Sequence, residues 1–228
     1  MILRTDLHIH SCLSPCADGD MTPCNIAAMA HLKGLDAVAV CDHNACFNAR
    51  ACTAAGERFG VLMVPGVEVT TAEEVHALCY FADIDSLEDF CALLQNRQPF
   101  VQNVPELFGE QAIYREDDVP GGVCQRWLGQ PVSLTLRDTE EEALRRGGVL
   151  VPAHIDRPSM GLLGVLGFIP PELSARVMEV AGDAKLPPGY RATRSSDAHS
   201  LGNILENGFP LETGGHRLCD IIVKLKMQ

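Results

Sequence analysis

Histidines and acidic residues recur at short spacings in this chain. Near the start, the sequence DLHIH places His8 and His10 two positions apart, and side chains two apart on a strand point the same way. Near the end, SSDAH repeats this spacing with Asp197 and His199. Imidazole and carboxylate groups together suit zinc, iron or manganese. The two pairs indicate a metal site, although a single such pair could equally lie on the polar face of a strand.

Further candidate ligands lie in or at the ends of apolar, strand-like segments. They are His43, Glu68, His76 and His154. One histidine at a strand end is more often hydrogen-bonded to a backbone carbonyl than bound to a metal. Six histidines in such positions favour a metal centre. His31 and His216 fall outside the pattern, because the first lies in a predicted helix and the second in a Gly-rich turn.

Short apolar strands alternate with amphipathic helices along most of the chain. Thr22 and Pro23 predict the start of the first helix, since they suit the cap and the first turn. Further helices are predicted over NARACTAAGERFG, SLEDFCALLQN, DTEEEALRRGG and SMGLLGVLGF. Strands are predicted at ILRTDLHIH, DAVAVCDH, VLMVPGVEVT, EVHALCYFAD, GVLVPAHID, ARVMEVAG, RATRSSDAH and LCDIIVKLKM. The alternation predicts a barrel-like α/β fold with a single domain over residues 1–228. The carboxyl ends of the strands of such a barrel converge on one face.

Residues 97–135 interrupt this alternation. The segment is rich in turn-forming residues and contains the single tryptophan, Trp127. Long connections of this kind often form a lid or a wall of a binding site. We expect residues 97–135 to be an insertion or lid.

The charge balance is acidic. The 30 aspartates and glutamates exceed the 18 lysines and arginines, for a net charge of -12. Such a surface repels phosphate backbones, so long nucleic acid is not expected as a partner, whereas a small phosphorylated substrate at a cationic centre is compatible with it. There is no apolar run long enough for a membrane span and no secretory signal, which predicts a cytoplasmic protein without a membrane partner.

The ten cysteines are spread along the chain and form no C-x-x-C pair. Most are expected to be buried thiols rather than disulfides. Cys12 and Cys16 differ from the others, because they follow the first histidines closely and a thiolate binds soft metals.

The ordered set DLHIH, CDHN, PGVEVTT, EVHALCYF, PAH and SSDAH resembles the PHP family, named for its presence in polymerases and histidinol phosphatase. The match runs from Asp6 to Gly202 and leaves residues 97–135 unmatched. The resemblance implies a distorted seven-stranded, TIM-like (βα) barrel with two or three divalent ions (Zn, Mn or Fe). It also implies hydrolysis of phosphate esters by a metal-bound hydroxide.

The resemblance assigns ligands to each ion. One would be held by His8, His10, Glu68 and Asp197. Glu68 would bridge to a second ion held by His76 and His154. A third would be held by Asp18, His43 and His199. The turn SPCADGD is longer than the SDG usual in the family, so Asp20 or Cys16 could replace Asp18.

Several residues beside these ligands could take part in catalysis. The sequence has no G-x-S-x-G elbow, so a solvent nucleophile is expected, with Glu68 bridging and His43 or His199 as a possible proton donor. Arg157 and Arg194 could bind phosphate, although surface salt bridges are the alternative for both. Asp6, Asp42 and Asp156 could orient the ligand histidines.

These features favour a metal-dependent phosphoesterase acting on a small phosphorylated metabolite or nucleotide. An amidohydrolase-type C–N hydrolase is an alternative, but such enzymes commonly use a carboxylated lysine, and no lysine follows a strand here at a bridging position, a role that Glu68 fills better. A non-catalytic, metal-stabilised domain would need fewer ligands. A single-strand nuclease is less favoured, because the sequence has no basic stripe and no evident stacking platform.

Overall fold

The computed structural model describes residues 1–226 as a mixed α/β fold. The strands are β1 Ile2–Ile9, β2 Ala37–Val40, β3 Leu62–Thr70, β4 His76–Tyr80, β5 Ala112–Arg115, β6 Val119–Val123, β7 Val149–Pro152, β8 Val177–Glu179, β9 Arg191–Thr193 and β10 Phe209–Glu212. The helices are α1 Pro23–Leu32, α2 Ala49–Phe59, α3 Ile84–Arg97, α4 Pro105–Phe108, α5 Leu136–Arg145, α6 Leu162–Leu166 and α7 Leu218–Lys226. Most predicted elements are present, with shorter ends.

Local capping explains where the helices begin and end. The Thr22 hydroxyl accepts a hydrogen bond from the Asn25 amide, and Pro23 occupies the first turn of α1, as predicted. Thr135 and Asp138 form a reciprocal capping box at the start of α5. Helix α2 ends at Gly60, whose φ of 72° is a left-handed conformation that glycine adopts at little cost.

The main sheet has six strands in the order β10-β1-β2-β3-β4-β7. Strands β1, β2 and β3 are parallel, whereas β4 is antiparallel to both β3 and β7, and β10 is antiparallel to β1. The described residues therefore form a curled, mixed sheet rather than the seven-stranded parallel barrel that was predicted. The reason is local: only residues 71–75 separate β3 from β4, and a parallel return would need a crossover of a dozen or more residues.

Strands β8 and β9 form a separate parallel pair beside this sheet. The Ile155 amide, just beyond β7, donates to the Glu179 carbonyl of β8 at 2.9 Å. On the other side, Ile9 of β1 forms a parallel bridge with Ala198, which follows β9. The β8–β9 pair and the loop that follows it thus link β7, at one margin of the sheet, to the carboxyl end of β1.

Apolar side chains cover both faces of the sheet. On one face, Val67 and Val69 of β3 pack in a buried cluster with Phe90 and Leu94 of α3. On the other face, a second cluster joins the sheet to α7 and includes Leu7, Tyr80, Ile221 and Leu225. The strands are therefore fixed between two layers of packing, which gives their ends a rigid base.

The C-terminal segment differs from its prediction. LCDIIVKLKM was predicted as a strand, but residues 218–226 form α7, and Met227 lies outside the described residues. The β-branched run favoured a strand, whereas burial of Ile221, Ile222 and Leu225 on one face fits a helix. Strand β10, which pairs with β1, was not predicted. None of the helices within residues 1–226 combines the length and apolar character needed to cross a membrane.

Residues 97–135 contain α4 and the β5–β6 hairpin. Two buried asparagines fasten this segment to the sheet. Asn44 donates to the Leu128 carbonyl at 2.8 Å, and Asn48 donates to the Ala112 carbonyl at 3.1 Å and accepts from the Tyr114 amide at 2.8 Å. The segment is therefore attached beside the strand ends that carry the predicted ligands, and its role as an insertion or lid stays a prediction.

Candidate metal centre

The predicted ligands meet at one edge of the sheet. His10 directly follows β1, and His43 lies three residues beyond the end of β2. Glu68 lies within β3, two residues before its carboxyl end. Because β4 is antiparallel to β3, its first residue, His76, lies at this same edge, opposite Thr70. His154 follows β7, whose direction brings its carboxyl end here as well. The antiparallel hairpin therefore places His76 correctly even though a parallel strand was predicted.

Glu68 is at the centre of the cluster and only 1% of its surface is exposed. Its Oε1 lies 2.9 Å from His76 Nδ1, 3.2 Å from His154 Nε2 and 3.4 Å from His8 Nε2. Its Oε2 lies 3.1 Å from His43 Nδ1 and 3.4 Å from His10 Nε2. One carboxylate thus contacts imidazoles on both of its oxygens, as a bridging ligand would.

Asp197 is the second acidic group of the cluster. Its Oδ1 lies 3.0 Å from His10 Nε2 and 3.3 Å from His8 Nε2. Its Oδ2 accepts a hydrogen bond from Arg157 Nη1 at 2.5 Å. Asp197 therefore joins the histidine pair of β1 to an arginine at the rim.

Within residues 1–226, three groups of side chains have the spacing of metal ligands. Within each group, one potential ligand atom per residue lies within 4.8 Å of the others. The groups are His8, His10 and Asp197; His43, Glu68 and His76; and His10, His43 and His199. His154 lies beside the second group through its contact with Glu68.

The hydrogen bonding within the cluster fits bound cations. Buried polar atoms normally have hydrogen-bond partners, yet Glu68 Oε2, Asp197 Oδ1 and His43 Nδ1 have none of suitable geometry within the described residues. All three atoms face other potential ligands rather than apolar surface. Nitrogen and oxygen donors that converge without satisfying one another are the donor set expected around divalent ions.

The pKa values of several side chains in the cluster are strongly shifted by burial and by their neighbours. Burial lowers the pKa of His8, but Glu179 and Glu68 outweigh it and hold that pKa well above its usual value. Burial also opposes ionisation of Glu68, yet its histidine neighbours, His76 first, hold its pKa well below the usual range. For His10 burial prevails and lowers the pKa to about 3. Clusters of this kind are typical of functional sites.

Glu179 is a site residue that the sequence analysis missed. Its Oε2 lies 3.0 Å from His8 Nδ1 and accepts from the His154 amide at 2.9 Å. It therefore orients two of the ligand histidines from the side away from the cluster centre. In the sequence, the signal for Glu179 was a single glutamate within the apolar run VMEV. In the structure this residue is only 2% exposed.

A second buried chain of hydrogen bonds orients His10. Its Nδ1 lies 3.0 Å from the Ser14 hydroxyl, which in turn donates to Asp42 Oδ1 at 2.7 Å. Asp42 thus acts on a ligand histidine through Ser14. Asp6 instead accepts hydrogen bonds from the backbone amides of Ser196 and Leu205. Asp156 accepts from the amides of Ala181 and Gly182. These two carboxylates therefore fix loops rather than histidines.

Two loop residues in the cluster have left-handed backbone conformations. His154 has a φ of 27° and Asp197 a φ of 51°. Residues other than glycine rarely adopt such angles, and they concentrate at functional sites where the surroundings hold them. The backbone is therefore bent to direct these two side chains at Glu68 and at His8.

The structure leaves two predicted site residues outside the cluster. The Asp18 carboxylate is exposed at the surface, and neither Asp18 nor Cys16 belongs to the three ligand groups. Arg194 is also exposed and donates to the Gly182 carbonyl at 2.6 Å. By contrast, Cys16 Sγ lies 3.4 Å from His43 Nε2. Partial burial raises the pKa of this thiol, but His199 and His43 outweigh that effect and lower it from 9.0 to about 7.

A cleft opens directly onto the cluster. It has a volume of about 370 Å³ and is lined by His43 and His76 on one side and by Phe108, Trp127 and Met160 on the other. The rings of Phe108 and Trp127 stack with centroids 4.5 Å apart. The segment that the sequence analysis could not match thus supplies an aromatic wall beside the metal-ligand cluster.

A family model, described as the PHP domain, matches residues 6–131. The chain belongs to the PHP family. The match confirms the predicted resemblance and places the chain among metal-dependent phosphoesterase-type hydrolases. It covers more than half of the chain, including β1 to β6, and so contains the His8–His10 pair, His43, Glu68 and His76.

Individual proteins are similar to this chain over part of its sequence or in their fold. The chain is 31% identical over 71 residues to a 5'-3' exoribonuclease of Haemophilus influenzae. The aligned region covers 31% of this chain and 25% of the exoribonuclease. The lesion-specific endonuclease PfuEndoQ of Pyrococcus furiosus has a TM-score of 0.66 and 20% identity over 99% of this chain and 56% of its own. A complex of Endonuclease Q with a 27-mer duplex that carries an abasic lesion at the active site has a TM-score of 0.65 and 20% identity over 97% and 55%.

This chain spans about half or less of the length of these proteins. They nevertheless overturn the expectation of a small phosphorylated substrate and of no long nucleic acid. That expectation was wrong because it used the net charge of the whole chain, whereas a protein with a similar fold is an endonuclease whose structure contains a 27-mer duplex. Cations gathered at a ligand cluster reverse the local charge that an anionic strand meets.

Proposed function

We propose that this protein is a metal-dependent phosphodiesterase that removes nucleotides from the end of a single-stranded nucleic acid. The observation that carries the proposal is the aromatic-walled cleft that opens onto the metal-ligand cluster. A scissile phosphate at the cluster and a terminal base against Phe108 and Trp127 would occupy adjoining parts of one site.

The aromatic wall is suited to a nucleobase. Aromatic side chains stack on any base, because every base has a π-face, and each such contact contributes about 1–3 kcal/mol. Asn44 and Gln98 both donate to the Leu128 carbonyl and so hold the backbone next to Trp127. A wall fixed in this way loses little entropy when a base packs against it.

The lining of the cleft supports recognition of an end rather than of a long duplex. No lysine or arginine is among the described residues that line it, and extended contact with a phosphate backbone depends on such cations. A strand end inserts one phosphate into the cluster and places one base in the cleft, so few phosphates need neutralising. The two or three ions expected from the family would compensate the substrate charge locally.

The chemistry requires ions, water and an oriented phosphate. Divalent ions, when bound, would stabilise charge on the phosphoryl oxygens and make a water molecule acidic enough to ionise near neutral pH. Glu68, Asp197 and the histidines around them would hold these ions, with Glu179 and Ser14 fixing the rings of His8 and His10. Met160 and the aromatic wall line the cleft beside these ligands and would shield a bound phosphate from bulk water.

Arg157 is the cation best placed to bind the substrate phosphate. Its Nη1 is held by Asp197 Oδ2, while 42% of the side chain is exposed at the rim. A guanidinium has five N–H donors, so one contact with Asp197 leaves donors that can meet a phosphate oxygen. This assignment agrees with the predicted role of Arg157, which remains a proposal.

Labelled single strands test the proposal directly. Protein loaded with Mn²⁺ would be incubated with RNA and DNA strands of the same sequence, labelled at either end, and with circular forms of each. We expect stepwise shortening from one end and no cleavage of the circles. Cleavage of circles as fast as linear strands would contradict end recognition, and no cleavage of any strand would contradict the phosphodiesterase itself.

The same experiment separates the remaining alternatives. A metal-stabilised domain would bind ions but cleave nothing, and an amidohydrolase-type enzyme would leave phosphodiesters intact. Glu68→Gln should abolish the cleavage. Glu57→Gln is the matched control, because Glu57 lies on the exposed side of α2, and it should leave the rate unchanged.

A further inference from the structure

Cys16 lies where the family resemblance placed an aspartate. The turn after β1 brings its Sγ to 3.4 Å from His43 Nε2, and the thiol also interacts with the side chain of His199. Pro15 and Cys16 line the same cleft as His43 and His76. The thiol therefore faces the cluster and is accessible to solvent ions.

The two neighbouring imidazoles each present a ring nitrogen towards this position. His43 has its Nδ1 3.1 Å from Glu68 Oε2, which leaves Nε2 directed at Cys16. His199 has its Nδ1 2.8 Å from the Asp197 carbonyl, which leaves Nε2 for another partner. Potential ligand atoms of His10, His43 and His199 lie within 4.8 Å of one another. A thiol and two imidazoles thus surround one point at the outer edge of the centre.

We propose that Cys16 binds a metal ion as a thiolate together with His43 and His199, and so forms the third ion site of the centre. Three protein ligands of this kind leave a coordination position open to water or substrate. The nitrogen and sulfur donors favour a soft ion such as Zn²⁺ over Mn²⁺. The carboxylate-containing groups around Glu68 and Asp197 suit harder ions as well, so the centre would hold ions of two kinds.

The position of Asp18 supports this assignment. Its backbone amide donates to the His199 carbonyl at 2.8 Å, and its carbonyl accepts from the Met21 amide at 3.0 Å. These bonds fix the turn with the Asp18 side chain exposed at the surface and Cys16 beside His43. The longer SPCADGD turn thus presents a sulfur donor where a shorter turn would present a carboxylate.

Cobalt substitution tests the ligation independently of catalysis. Metal-free protein would be titrated with Co²⁺, and thiolate ligation would appear as an intense near-ultraviolet charge-transfer band. We expect this band in the wild-type protein and its loss in Cys16→Ala. Cys219→Ala is the matched control, because Cys219 is also an exposed thiol but lies on α7, and it should keep the band.

A second variant guards against misinterpretation of a lost band. Cys16→Asp should restore the number of bound ions measured by emission spectrometry without restoring the band, whereas Cys16→Ala should bind one ion fewer. A wild-type protein without the band, or a Cys16→Ala protein that retains it, would overturn the proposal. Because these measurements report ligation alone, either result would leave the nucleic-acid proposal standing.

Discussion

Glu68 shows how one side chain can organise the site. Its two oxygens contact imidazoles that come from β1, β4 and the loops after β2 and β7. Burial alone would make this carboxylate neutral, but the surrounding histidines keep its pKa low. Removal of the charge would leave those imidazoles without their shared partner.

We therefore expect Glu68→Gln to lower the cleavage rate by more than about a hundredfold, since even residues that only support metal ligands contribute about 10–100-fold. The amide keeps the shape of the side chain but cannot bridge two cations as an anion. Single-turnover rates on a labelled strand measure the effect, and circular dichroism checks that the fold persists. A rate within tenfold of wild type would refute the bridging role.

Glu179 allows a separate test of orientation. It contacts His8 Nδ1 and the His154 amide but is not among the grouped ligand atoms. Glu179→Gln should weaken metal binding by about 10–100-fold, because the His8 ring loses the charged acceptor that fixes it. Isothermal titration with Mn²⁺ measures the affinity, and activity should recover at high metal concentration. Unchanged affinity would show that Glu179 has only a packing role.

Protons compete with cations for the same histidines. Contacts with Cys16 and Glu68 outweigh burial and raise the pKa of His43 to about 10 in the metal-free protein. The stability from this protonated histidine is fully present below its usual pKa of 6.5 and is lost as pH rises through about 10. Metal binding must displace that proton, so it becomes tighter as pH rises within this window.

The matching measurement is thermal unfolding with and without metal. The stabilisation by saturating Mn²⁺ should grow from neutral to mildly alkaline pH, and a chelator should remove it at every pH. Calorimetric titration in buffers of different ionisation enthalpy should show proton release on binding. Stabilisation that decreases with rising pH would contradict the ligand role of these histidines.

At the scale of elements, residues 97–135 act as one wall of the site. Asn44 and Asn48 attach the β5–β6 hairpin and the loop after it to the sheet, and within the segment the Gln111 side chain donates to the Arg126 carbonyl at 2.6 Å. These side chains satisfy backbone groups that would otherwise be buried without partners, which costs about 1–3 kcal/mol each. The wall is therefore part of the folded structure and its aromatic residues have fixed positions.

Trp127→Leu should raise KM for a labelled strand by about 5- to 150-fold, the equivalent of about 1–3 kcal/mol of lost stacking per base. The turnover number should change much less, because the substitution does not touch the ligand cluster. Phe168→Leu serves as the control, since Phe168 is 57% exposed and lies outside the cleft. Equal KM values for the Trp127 variant and the wild type would argue against a base in the cleft.

At the scale of the whole molecule, two features have opposite effects on the binding of a nucleic-acid strand. The acidic surface repels the strand, whereas cations bound at the centre would attract it. Protein binding to single strands weakens with salt by a slope of about -0.7 per phosphate neutralised. If only one or two phosphates meet the centre, the slope should lie between about -0.7 and about -1.4. Strand binding measured in the presence of Ca²⁺ over a range of salt concentrations tests this, and a much steeper slope would indicate an extended basic track.

Arg157→Ala extends the salt measurement to a single residue. It should weaken binding of every strand to a similar extent and reduce the magnitude of the salt slope by about 0.7, the contribution of one phosphate. Arg58→Ala is a suitable control, because Arg58 is an exposed arginine that pairs with Asp117 at 2.5 Å, outside the ligand cluster. An unchanged slope in Arg157→Ala would show that this arginine only positions Asp197.

The sequence by itself determined the order of the motifs, the N-terminal cap of α1 and the types of the ligands. These properties depend on neighbouring residues or on chemical identity, so they can be inferred without coordinates. Only the tertiary structure decided that the C-terminal segment is helical, that Glu179 supports His8 and that Cys16 rather than Asp18 faces His43. Each of these outcomes depends on contacts between residues far apart in the chain or on the path of a turn, and the spacing of residue types does not encode either one.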